Sequence, residues 1–150
     1  MGRRLCAVWM AVLAVGAFAA GCGGSSSTPA VVAGLWSGSL SLTSDGGEMV
    51  VGPLTARLDQ DGSFAAGVAE WLPLGEPQSL TVTVQGSDVT FRLSFICESF
   101  NGGVTLTGTV ADDTIRVDGA TGIACFGRTA DVRIREGFAT LVRVPTAEPL

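Results

Sequence analysis

The sequence predicts an all-β fold: a single antiparallel up-and-down barrel of about eight strands, with a β-sandwich as the alternative. Three observations lead there. Apolar and polar residues alternate with a period of two through most of the region after Gly34. No comparable helical periodicity follows residue 22. Tight turns and long loops also take turns along the chain, the pattern a meander requires.

The first strand reads as Leu35–Leu42. Leu54–Gln60 and Ser63–Trp71 flank Asp61-Gly62, a pair that suits a tight turn because glycine accepts a left-handed backbone. In Leu80–Gln85, Leu80, Val82 and Val84 interleave with Thr81, Thr83 and Gln85. Beyond Gly86-Ser87, Val89–Ile96 sets Val89, Phe91, Leu93 and Phe95 against Thr90, Arg92 and Ser94. Val104–Val110 and Thr114–Gly119 meet at Ala111-Asp112-Asp113. In Ala130–Arg135, Val132 and Ile134 separate Asp131, Arg133 and Arg135. The chain then runs through Glu136-Gly137 into Phe138–Val144, either as one long strand with a bulge or as a ninth strand. An even number closes an antiparallel meander simply, which favours eight strands and a bulge.

Long loops are placed at Thr43–Pro53, Leu72–Ser79, Cys97–Gly103 and Ala120–Thr129. Alternate connections of a meander share an end, so all four belong at one mouth and the N-terminal segment enters at the other. The alternation sends Trp36, Leu40, Leu42, Leu54, Leu58, Phe64 and Val68 inward, with Val82, Val84, Phe91, Leu93, Leu106, Ile115 and Val117. These side chains either fill a small barrel or leave an apolar cavity. Gly38, Ala56, Ala66 and Gly108 are small inward positions that offer some room.

Residues 3–22 carry a separate signal. Arg3 and Arg4 precede a charge-free apolar run from Leu5 to Ala20, shorter than the roughly 20 residues of a membrane span. The run ends in Ala19-Ala20-Gly21-Cys22, which resembles a bacterial lipobox, with Ala19 where lipoboxes usually have Leu. The resemblance implies cleavage before Cys22 and lipidation of its sulfur, with acyl chains such as palmitate anchoring the chain. A cleaved secretion signal without lipid is the alternative. Gly23-Gly24-Ser25-Ser26-Ser27-Thr28-Pro29 suits a flexible linker. The organisation expected is a signal peptide over 1–21, a lipidated tether over 22–33 and a barrel domain over 34–145. Localisation follows as exported and lipid-anchored in the cell envelope. The absence of Asp after the cysteine resembles sorting to the outer membrane in a two-membrane bacterium.

Removing residues 1–21 leaves seven arginines against 14 acids, a net charge of −7, with no Lys and no His. Phosphate backbones require clustered basic residues, so nucleic-acid binding is not expected. With Cys6 lost and Cys22 lipidated, Cys97 and Cys125 remain, and in an exported chain they are expected to form a disulfide. A metal site would need further soft ligands, so neither metal nor cofactor is expected.

Gly34-Leu35-Trp36-Ser37-Gly38 resembles the Gly-x-Trp opening of lipocalin-like and avidin-like barrels. The lipocalin resemblance implies that Trp36 packs across the closed end with an arginine from the last strand against it, Arg143 or alternatively Arg135. The absence of Tyr departs from the polar shell of avidins, so biotin binding is not implied.

Catalytic chemistry finds little to stand on. Asp112-Asp113 is adjacent in sequence and reads as a turn, and Asp59-Gln60-Asp61-Gly62 lacks the later ligands of a calcium loop. The function expected is therefore non-catalytic: an envelope lipoprotein binding a small apolar ligand in the barrel. The alternative is a protein-interaction or structural envelope module acting through the mouth. There Trp71, Leu72, Glu98, Phe100, Phe126 and Arg128 are candidate contacts, unless the rings cap the barrel instead.

Overall fold

The computed structural model describes residues 27–97, 101–126 and 131–147. Eight strands follow in order: β1 (Gly34–Ser44), β2 (Met49–Asp61), β3 (Phe64–Trp71), β4 (Pro77–Gln85), β5 (Asp88–Ile96), β6 (Asn101–Ala111), β7 (Thr114–Ala124) and β8 (Val132–Arg143). Each pairs antiparallel with the next, and β8 returns to β1, so the sheet closes on itself and leaves no edge. The described residues contain no helix.

The turns between β2 and β3, β4 and β5, and β6 and β7 are tight and lie at one end. The other four connections lie at the mouth. Several expected loops are shorter than the sequence suggested because strands run into them. Met49–Pro53, placed in a loop, extends β2 and pairs with Ser39–Thr43. Residues 120–124 likewise extend β7.

The C-terminal segment is one strand with a bulge rather than two strands. Register steps from Thr43↔Glu136 to Ser44↔Ile134, leaving Arg135 as an extra residue, so Arg135 and Glu136 face solvent in succession. A second step, from Thr107↔Gly119 to Gly108↔Val117, makes Asp118 the extra residue in β7.

The inward reading holds on the six other strands for which it named residues and fails on β3. Phe64 and Val68, placed inside, are 51% and 47% exposed, and Ala66 also faces out. Ala65, Ala69 and Trp71 face the core instead. Trp71 sets this phase: burying its ring at the mouth carries Ala69 and Ala65 inward with it at a period of two. The small residues on β3 balance Phe91 and Leu93 across the interior, as a narrow barrel needs.

The room expected at Gly38 and Gly108 is occupied. A Cβ at Gly38 would fall 2.0 Å from the Thr140 carbonyl oxygen, and one at Gly108 would fall 2.0 Å from that of Arg116. The neighbouring strand's backbone fills the space that the missing side chain leaves. These glycines let strands close tightly rather than open a chamber.

Candidate functional site

The closed end is built on Trp36. Its ring is fully buried, and its indole N–H donates to the Val32 carbonyl at 2.8 Å. The Arg143 guanidinium carbon lies 4.3 Å from the ring centroid. Arg143 also donates to the carbonyls of Ala33 and Val31, and its Nε meets Asp113 Oδ1 at 2.8 Å. Arg135, the other candidate for this position, points to solvent beside the mouth-end bulge.

Residues 30–33, expected within the free tether, are packed across this end as a strap. Val32, within the strap, is fully buried. Gln60 ties the strap down on both sides of its amide. Its Oε1 accepts from Val32 N at 2.7 Å and Ala33 N at 3.2 Å, while Nε2 donates to the Ala30 and Gly62 carbonyls, each at 2.9 Å. Ala30 N donates to the Gly86 carbonyl at 2.8 Å. Through Gly62, Gly86 and Asp113 the strap thus reaches all three tight turns. Sequence reasoning missed this use of Gln60 and Asp113, because both sit in segments whose composition signals only a turn.

The interior is apolar and nearly full. A void of about 20 Å³ lies among Leu54, Ala69, Phe91, Leu106 and Leu141. That is room for about one water, whereas small-molecule sites run to roughly 300–1,000 Å³. Among the described residues every buried side-chain nitrogen and oxygen has a hydrogen-bond partner. The described side chains that line the void are all apolar, so none of them offers a polar group to orient a guest.

At the mouth, Trp71 is 1% exposed and its indole N–H lies 3.2 Å from both the Leu40 and Gly52 carbonyls. Phe126 packs edge-on against it, centroids 5.8 Å apart. Cys125, next to Phe126, is disulfide-bonded to Cys97 with the Cα atoms 5.9 Å apart, joining the connections after β5 and β7. Both cysteines and Phe126 pack against the core. Trp71 and Phe126, placed among the outward contacts, both pack against the core at the mouth, Trp71 buried and Phe126 partly so. Leu72 is 71% exposed beside them. The candidate residues Glu98, Phe100 and Arg128 lie outside the described residues, as does the lipidation candidate Cys22.

The outer wall formed by β8, β1 and β2 carries several large apolar side chains, with Met49, Val51, Phe138 and Val142 all more than half exposed. A groove of about 470 Å³ crosses it and extends onto β7, where Arg116 lines it.

The chain matches no protein-family model, no curated protein and no solved structure.

Proposed function

We propose that this chain is a lipid-anchored lipoprotein of the cell envelope whose barrel is a rigid, non-catalytic interaction module working from its outer surface. The observation that carries this reading is the interior void of about 20 Å³. A barrel that is full inside has only its exterior to act with. An apolar ligand would have to displace packed side chains, each displacement costing on the order of 1–3 kcal/mol. The anchor rests on the lipobox-like Ala19-Ala20-Gly21-Cys22. Two acyl chains, at about 0.8 kcal/mol per buried methylene, suffice for stable membrane attachment.

The strap supports a defined orientation. Eight residues lead from Cys22 to Ala30, a reach of at most about 28 Å. A lipid on Cys22 therefore keeps the closed end nearest the bilayer and turns the mouth away from it.

Labelled palmitate fed to expressing cells, followed by fractionation, tests the anchor: label and membrane association are expected in the native chain and lost in Cys22→Ser. Native mass spectrometry of the purified protein tests the full interior. An empty barrel is expected, and a stoichiometric apolar molecule released on unfolding would overturn the surface reading.

A further inference from the structure

We infer that the outer wall formed by β8, β1 and β2 is a self-association surface, and that its occupant is a second copy of this chain in the same membrane. The inference deepens the proposed function and rests on its lipid tether.

Charge distribution singles out the occupant. The chain after Cys22 carries a net −7, so two copies repel over most of their surface. This wall has no charged side chain from Gly137 to Val142 on β8, along all of β1, or from Met49 to Ala56 on β2. A second copy meets no acidic side chain across these segments; Arg116 on β7, which pairs with Thr140 and lines the groove, is a cation on this acidic chain.

The relief of the wall is self-complementary. Phe138 and Val142 form an apolar ridge on β8, 54% and 52% exposed, and Val51, 57% exposed, stands on β2. Between them the outward residues of β1 are Ser37, Ser39 and Ser41, a shallow trough. Register places Ser41 directly between Val51 and Phe138. A two-fold axis between β8 and β1 sets the ridge of each copy into the trough of the other.

The trough is also prepared for burial. Ser39 Oγ donates to the Gly52 carbonyl at 3.3 Å and Ser41 Oγ to the Phe138 carbonyl at 3.4 Å. Their hydroxyl hydrogens are thus committed to the barrel's own backbone, and covering them strands no donor. The wall on β3 and β4 has an apolar pair of its own, Phe64 and Val68, but Glu70 lies on it and Asp59 and Asp61 of β2 flank it in register.

The tether supplies the geometry. The strap enters at the closed end, so copies anchored in one bilayer stand side by side and meet by their walls. Ten or so side chains per copy make a contact at the small end of stable interfaces, weak in free solution. Confinement to one membrane raises the effective concentration and populates the pair.

Thr140→Cys, on the β8 ridge, tests this in full-length protein in membranes treated with a short thiol-to-thiol crosslinker. A dimer of twice the chain mass is expected, with at least tenfold less from Thr81→Cys on the β3–β4 wall, which carries Glu70. Adding Phe138→Asp, or separately Val51→Asp, should cut the Thr140→Cys dimer at least tenfold while the melting temperature stays unchanged. Monomer only, equal crosslinking from both walls, or an adduct to a different protein would each overturn the inference. Membrane fractionation of the same samples keeps the two claims apart. A monomer that fractionates with membranes sinks the dimer and leaves the anchor standing. If the chain is not in membranes the anchor falls, and crosslinking of the purified barrel at high concentration then decides the surface alone.

Discussion

The guanidinium of Arg143 stands 4.3 Å over the centroid of the Trp36 indole, and from there it reaches both the strap and the turn that carries Asp113. One side chain thereby joins the first strand, the last strand and the chain that leads to the tether. The Asp113 side chain is 74% exposed, so water weakens that ion pair. The stack on Trp36 and the bonds to two carbonyls are the larger contribution.

Arg143→Lys keeps the charge and loses the planar fork. It should destabilise the barrel by about 1–3 kcal/mol. Asp113→Asn should cost less than about 1 kcal/mol, as exposed ion pairs do. Chemical denaturation of both variants checks the order. An equal loss would make the ion pair, not the stack, the main tie.

Gln60 holds the strap by two accepted hydrogen bonds and one donated to Ala30, while its second N–H donates to Gly62 in the adjoining turn. Gln60→Leu leaves the Val32 and Ala33 amides without their acceptor, at about 1–3 kcal/mol. Hydrogen exchange at those two amides should quicken by roughly tenfold or more while the centres of the strands stay protected. Gln60→Glu keeps the acceptor and loses both donors, so its exchange rates should lie between. Uniform quickening across the barrel would show that the strap is no separate unit and opens only with the whole fold.

The strands and the meander were legible because alternation is a local property, and a one-residue slip would put every side chain on the wrong face. Trp36 and Arg143 were legible as a pair through a family resemblance that the stacked geometry matches. The phase of β3 was not. Phe64 and Val68 outrank their neighbours in hydrophobicity, and the burial of Trp71 at the mouth, with the volume balance across the closed barrel, selects Ala65 and Ala69 for the inside. The packed interior was hidden for a related reason. A small residue in sequence says that a side chain is missing, not whether a ligand or a neighbouring backbone takes the space. At Gly38 it is the Thr140 carbonyl.

Phe126 and the disulfide should act as one device at the mouth. Replacing both Cys97 and Cys125 with Ser should cost about 2–4 kcal/mol, since their bridge spans 28 positions of the chain. Phe126→Ala, which strips a ring from the buried Trp71, should cost about 1–3 kcal/mol. Because Cys125 adjoins Phe126, the triple variant should lose less than the two effects added together, by about 0.5 kcal/mol or more. Additive losses in a double-mutant cycle would mean that the ring seats itself without the bridge.

Leu106 borders the central void and pairs across strands with Phe91. Leu106→Ala should cost about 2–5 kcal/mol, because a full barrel cannot collapse around the missing atoms. The enlarged void has only apolar walls, and a dry apolar hole of that kind accepts benzene. Benzene should therefore raise the melting temperature of Leu106→Ala and leave the native chain unmoved. The native void of about 20 Å³ is smaller than such a guest. Equal stabilisation of both proteins would show that the interior yields readily to ligands, and the surface would lose its claim as the working part.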